Sequence, residues 1–150
     1  MSVHTLEREL FVKQPLEKVF DFFSRADNLE KITPPWMHFK ILTPLPIAMQ
    51  AGTLIEYSIK VRGLPLRWRT LIDVWNPPYE FVDTQVKGPY KLWHHTHKFK
   101  EMSNGTSIVD VVRYELPFGP LGTLAHKLQV SGDVRKIFDY REQQVPKLLL

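Results

Sequence analysis

Two histidines, His95 and His97, carry the clearest chemical signal in the sequence. They lie in the run Trp93, His94, His95, Thr96, His97, Lys98, Phe99. On a strand, alternate side chains share a face. Trp93, His95, His97 and Phe99 then point one way, and the more polar His94, Thr96 and Lys98 point the other. The next segment has the same period: Thr106, Ile108, Asp110, Val112, Tyr114 and Leu116 share one face, against Ser107, Arg113 and Glu115. Asn104-Gly105 between them is a two-residue hairpin turn, because both residue types accept positive φ. A symmetric hairpin about that turn sets Phe99 opposite Asp110, His97 opposite Val112 and His95 opposite Tyr114. Asp110 is then diagonal to His97, within side-chain reach. Two imidazoles, a carboxylate and a phenol thus fall on one otherwise apolar surface.

Four readings of that surface stay open. In a structural reading, His97 and Asp110 are a buried, mutually satisfied pair and Trp93 and Tyr114 fill the core. In a ligand-binding reading, apolar walls hold a hydrophobic body and the His, Asp and Tyr side chains fix its polar end. In a catalytic reading, His97 is the base, Asp110 orients it and Tyr114 donates a proton, as aldol-type cyclisation and dehydration require. In a metal reading, His95, His97 and Asp110 form a facial triad. Nothing in the spacing demands the last, and neither a metal nor a cofactor is expected.

The rest of the sequence must position this hairpin. Val3 to Lys13 alternates as a strand, with Leu6, Leu10 and Val12 on one face together with Arg8, the one charge there. Arg8 is expected to snorkel out near the sheet edge, the alternative being a counter-ion for an acidic ligand or for Asp83. Leu16, Val19, Phe20 and Phe23 follow the i, i+3, i+4, i+7 stripe of a helix that begins at Pro15. A second short helix spans about 26–32 and stops at Pro34-Pro35. Breakers then cut the chain into pieces of about ten residues, the spacing of an antiparallel meander. Strands are expected near 38–43, 53–61, 66–75, 79–86, 90–100 and 106–116. Tyr57 and Trp68 fall on adjacent inward faces. In 79–86 the alternation leaves open whether Val82, Thr84 and Val86 or Phe81, Asp83 and Gln85 turn inward. Leu121 to about Val145 reads as one helix of ~37 Å. Its stripe is Leu121, Leu124, Leu128, Val134, Ile137, Phe138, Arg141 and Val145. Ser131-Gly132 interrupts it, and a mid-helix glycine costs ~1 kcal/mol, so either something packs close there or the helix bends.

Composition narrows the function classes. The 150 residues suit one domain with one sizeable core or pocket. With no cysteine there is no disulfide framework, thiolate zinc site or cysteine nucleophile. No apolar run approaches the ~20 residues of a membrane span. The first ten residues lack a signal-peptide pattern, so a cytoplasmic location is expected. The formal charge of +4 is spread along the chain. Arg62, Arg67 and Arg69 cluster near one hairpin with no aromatic residue interleaved on their face, so no nucleic-acid partner is expected. No phosphate-binding glycine loop and no Gly-x-Ser-x-Gly elbow is present.

The order of one strand, two short helices, six meander strands and a long helix resembles the helix-grip superfamily. This includes START-like lipid-binding domains, polyketide cyclases and dehydrases, coenzyme Q-binding proteins and the birch-pollen-allergen fold. The residues carrying the resemblance span most of the chain. They are Pro15 with Val19-Phe20, Asn28-Leu29 before Pro34-Pro35, Trp68, Phe81-Val82-Asp83 running to Gly88-Pro89-Tyr90, Trp93 to Phe99, Gly105-Thr106, Asp110, and Tyr114 to Gly119. The chain is most similar to the ligand-binding, cyclase/dehydrase-like branch. The resemblance implies an α+β fold in which a curved seven-stranded antiparallel sheet wraps around a long C-terminal helix, with two short helices between strands 1 and 2.

The expected function is binding of a small hydrophobic ligand, a lipid, quinone or polyketide-like molecule, between sheet and helix near Ser131-Gly132. Its polar end would meet His95, His97, Asp110 and Tyr114, and its walls would be Tyr57, Trp68, Trp93, Phe99 and Leu128. The alternatives are a cyclase or dehydratase using His97, Asp110 and Tyr114, and a protein-interaction module. Both small-molecule functions require a continuous cavity above ~300 Å3 that reaches the two histidines.

Overall fold

Seven antiparallel strands form one sheet in the order β1-β7-β6-β5-β4-β3-β2. The computed structural model describes residues 3–149. The strands are β1 (His4–Val12), β2 (Lys40–Ile41), β3 (Leu54–Val61), β4 (Leu64–Asn76), β5 (Glu80–Lys87), β6 (Leu92–Met102) and β7 (Gly105–Glu115). Between β1 and β2 lie α1 (Leu16–Phe23), α2 (Ala26–Lys31) and one 3-10 turn, Pro35–Met37. The terminal helix starts as α3 (Gly119–Ala125), widens into a π-helical turn at His126–Val130, and continues as α4 (Ser131–Leu148). The expected helix-grip architecture is the observed one.

Each element follows from its local sequence. Pro15 is extended at the N-cap of α1, and its carbonyl accepts the first helical bond from Val19 N–H. The α1 stripe of Leu16, Val19 and Phe20 packs on Phe81, Phe99 and Ile108 of the sheet and on Val145 of α4. Arg62 and Gly63 both adopt positive φ, the mirror-image turn that matches strand twist in a two-residue hairpin. Strand β4 therefore starts at Leu64, two residues earlier than expected. Pro65 is tolerated there because the β4–β5 ladder begins only at Arg69, so its missing N–H has no partner to lose.

The β6–β7 hairpin departs from expectation by two residues. Met102 pairs with Gly105, so Ser103-Asn104 forms the turn and neither residue has positive φ. Gly105 belongs to the ladder because a Cβ there would lie 2.2 Å from the Val12 carbonyl oxygen. The shift is even, so the inward faces are kept. The partners change: His97 faces Asp110, His95 faces Val112, and Trp93 faces Tyr114. Replacing Gly105 by alanine is expected to destabilise the fold by about 2–3 kcal/mol, since backbone must move to admit the methyl. Urea unfolding measures it, and an unchanged midpoint would contradict the close approach.

The terminal helix also differs from the expected single stripe. Nothing lies within 4 Å of a Cβ built on Gly132, so no close packing explains that glycine. The irregularity is instead the π-turn just before it, which adds a residue to one turn and changes the phase of the face that follows. After the turn, Val134, Phe138, Arg141 and Val145 are buried; before it Leu121 and Leu124, and within it Leu128, are exposed.

Candidate functional site

A cavity of about 930 Å3 lies between the concave sheet face and the terminal helix. Aromatic side chains make much of its wall. Tyr57 and Trp68, cross-strand neighbours on β3 and β4, stack with centroids 5.9 Å apart, and Trp93 meets Trp68 edge-on at 5.3 Å. Trp68 Nε1–H donates to Thr70 Oγ1 at 3.1 Å, which satisfies the indole and fixes its plane. Gln85 holds Tyr90 at the wall: its amide donates to the Tyr90 carbonyl at 2.6 Å and accepts from the Tyr90 N–H at 3.0 Å. The charged lining residues fall into two sets. Arg25, Lys60, Arg62 and Lys136 are exposed and mark the mouth, together with half-buried Asp133, which pairs with Arg62. Asp83, His95, His97 and Arg141 lie inside.

The inner set forms one network. The inward face of β5 is Phe81, Asp83 and Gln85, which settles the face that alternation left open. His97 Nε2–H donates to Asp83 Oδ2 at 2.5 Å. His95 Nε2–H donates to Asp110 Oδ1 at 2.7 Å. Arg141 reaches down from α4 to within 3.8 Å of the same Asp110 oxygen. Its guanidinium also lies over the rings of Phe138 at 5.2 Å and Phe23 at 5.8 Å. The two imidazoles stack at 3.6 Å, and Phe81 stacks on His97 at 4.0 Å.

The electrostatics of this network balance. Burial favours a neutral Asp110, but the Arg141 charge, the His95 hydrogen bond and the nearby His97 outweigh it and hold its pKa well below the usual carboxylate range. Burial likewise works against the Asp83 charge, and the His97 hydrogen bond and charge overcome it. Burial and the neighbouring His97 push His95 down to about 4. For His97, burial opposes the charge, but contact with two carboxylates prevails and its pKa is raised. Asp83 and Asp110 are therefore held ionised against Arg141, and the cluster biases His97 toward the imidazolium and His95 toward the neutral ring. The Nδ1 of His97 lies 3.4 Å from Asp110 Oδ1, without an aligned hydrogen bond.

Asp83, His95 and His97 also bring donor atoms within 4.8 Å of one another, which is metal-ligand spacing. The ring planes, however, lie only 26° apart in a stack. His97 Nε2–H is already bonded to Asp83 and His95 Nε2–H to Asp110, so an ion would have to displace those hydrogen bonds. The arrangement suits proton sharing and hydrogen bonding to a ligand better than coordination.

Of the nine residues expected at the site, Tyr57, Trp68, Trp93, His95 and His97 line the cavity. The other four do not. Phe99 is covered by α1, with its ring 5.3 Å from Phe20. Asp110 sits behind His95, between it and Arg141. The Tyr114 hydroxyl is hydrogen-bonded to His126 Nε2 at 2.7 Å, away from the histidine pair. Leu128 is exposed, because the π-turn separates its face from that of Val134. The expected pairing of Asp110 with His97 becomes Asp110 with His95. Arg8, on the edge strand β1, runs outward as expected rather than to Asp83, and its guanidinium bonds Asp139 at 2.7 Å and Glu142 at 3.3 Å, tying β1 to α4. Asp83 and Arg141 enter the site although neither was assigned to it.

The sequence profile of the polyketide cyclase / dehydrase and lipid transport family matches residues 12–137. The chain belongs to that family. The family's fold is shared with solved structures of low sequence identity. The Zhui aromatase/cyclase from Streptomyces sp. R1128 superposes with a TM-score of 0.79 at 14% identity, covering 99% of this chain and 94% of that one. A Rhizobium leguminosarum protein gives 0.75 at 13% identity, covering 99% and 95%. A Thermus thermophilus protein gives 0.72 at 18% identity, covering 95% and 97%. No curated protein matches this member of the family in sequence.

Proposed function

We propose that the chain, acting as one helix-grip domain, binds a small hydrophobic molecule inside the cavity: a lipid, a quinone or a polyketide-like aromatic. The observation that carries this reading is a cavity of about 930 Å3 whose aromatic wall contains one buried, charge-balanced polar cluster. Apolar burial supplies affinity, and the cluster fixes the ligand's polar end. A ligand carbonyl or hydroxyl oxygen takes the His97 Nε2–H in place of Asp83, whose carboxylate then accepts from a ligand hydroxyl. Trp68 and Trp93 at the wall provide the test. A short-chain quinone is expected to quench tryptophan fluorescence saturably at one molecule per chain. His97→Gln, still folded by circular dichroism, should weaken that binding about tenfold, the value of one hydrogen bond to a charged group. Native mass spectrometry of protein from its own host should show a retained small molecule. Neither saturable quenching nor a retained mass would end the proposal.

A cyclase or dehydratase activity is the second reading, favoured by a protonated His97 on the cavity wall. His97 would give its Nε2 proton to the ligand oxygen, and Asp83, released from that hydrogen bond, would take the α-proton as the carbon–carbon bond forms or water leaves. Tyr114, bonded to His126, has no part. This reading requires His97→Gln to abolish turnover of a cyclisable polyketide-like substrate far more than it weakens its binding.

A further inference from the structure

The first part of the terminal helix, α3 with the π-turn, is inverted in polarity. Its inner face is small and polar: Gly122 lies against Leu116 and Pro117, and His126 bonds Tyr114 and stacks on His4 at 3.4 Å. Its outer face is apolar: Leu121, Leu124 and Leu128 are 72%, 53% and 72% exposed, and Phe118, just before the helix, is 80% exposed. Large apolar side chains at helical spacing, all open to solvent, mark a surface that is covered in use.

We propose that this face docks peripherally on an anionic lipid surface. Charge selects the occupant. From Pro117 to Gly132 the chain contains no acidic residue and does contain Lys127. The nearby helix surface adds exposed Arg135 and Lys136. Arg62, bonded to Asp133 at 3.0 Å, brings the β3–β4 hairpin with its 62% exposed Leu64 to the first turn of α4. An apolar stripe bordered by cations is the pattern of a helix lying in the headgroup region. A second copy fits less well, because an isologous contact would face this cation-bordered patch with another of the same kind, and 117–132 holds no acidic residue to answer Lys127. No helix among the described residues is long and apolar enough to cross a membrane, so the docking is interfacial. Leu121, Leu124 and Leu128 line no part of the cavity, which resumes at Val130; docking and ligand binding can therefore fail separately.

Flotation with vesicles tests the proposal. The full chain is expected to float with equimolar phosphatidylglycerol and phosphatidylcholine, and to be released as salt rises. Leu121→Asp and Leu128→Asp should each weaken binding more than about tenfold, the effect of withdrawing one leucine from an apolar phase. Lys127→Glu should weaken it about fivefold, the effect of ~1 kcal/mol per juxtamembrane cation. Both leucine variants should keep the thermal midpoint and the quinone quenching of the parent, since the side chains touch neither core nor cavity. Absence of flotation, or flotation indifferent to the leucine substitutions, would overturn the proposal. So would a concentration-dependent dimer in light scattering that Leu121→Asp abolishes, which would assign the face to a second copy.

Discussion

Replacing Arg141 by methionine is expected to lower the unfolding free energy by about 3–5 kcal/mol, the penalty for stranding a buried charge. The guanidinium lies 3.8 Å from Asp110 Oδ1, and both side chains are buried. Methionine matches much of the arginine stem and keeps the packing over Phe23 and Phe138, so the loss reports charge rather than volume. The cluster would answer by taking up a proton. With Asp110 uncompensated, His95 becomes the nearest group able to balance it, and its pKa should rise from about 4. Two measurements check this. In a urea double-mutant cycle, adding Asp110→Asn to Arg141→Met should recover most of the loss, because the asparagine oxygen still accepts from His95 Nε2–H. The His95 ring resonances should titrate at higher pH in the single variant. If the double variant is no more stable than Arg141→Met, the arginine acts through packing and the charge argument fails.

Arg141 shows what was legible in the sequence. Its place on the inward stripe with Val134, Phe138 and Val145 was plain, and a cation on an apolar stripe calls for a buried carboxylate beneath it. That inference was available but needed the sheet beneath the helix, which periodicity does not supply. Asp83 was hidden differently. The β4–β5 ladder slips between Arg69 and Thr70 and again between Ile72 and Val74, so alternation along neighbouring strands does not fix the face of β5. Phe81, whose ring is too large to leave in water without consequence, was the better guide because it shares parity with Asp83. The fold was legible because each element has its own strong local signal: the Pro15 helix start, the Arg62-Gly63 turn, the alternation of β6 and β7. The hairpin register failed by two residues because Gly105 is set by the approach of Val12, a contact between residues far apart in the sequence. The even slip spared the faces and changed the partners. The exposed leucines were misplaced for a related reason, since a single added residue in the π-turn re-phases the helix and composition does not announce it.

The same cluster should give the protein a maximum of stability near pH 6.5. Each group contributes with a definite sign. His95 has its pKa lowered to about 4 in the folded state, against 6.5 unfolded. Between those values the unfolded chain holds a proton that the folded one does not, so stability falls as the pH drops from 6.5 to 4. The gap corresponds to about 3 kcal/mol. His97 is raised above 6.5: its contribution is fully present below the unfolded pKa and is lost as the pH climbs through the folded one. Asp83 and Asp110 are lowered: their contribution is present above the unfolded carboxylate pKa and is lost as the pH falls below it, steepening the acid limb. The two histidines therefore lean in opposite directions from the same starting pH. Urea midpoints at pH 4.5, 6.5 and 8.5 should be highest at the middle value. His95→Gln preserves a donor to Asp110 and removes the titration, so it should flatten the limb between pH 6.5 and 4.5 while leaving the alkaline limb in place. A parent protein whose stability climbs steadily through pH 8.5 would show that His97 does not hold its proton between the two carboxylates, and the imidazolium that the cavity offers to a ligand oxygen would go with it.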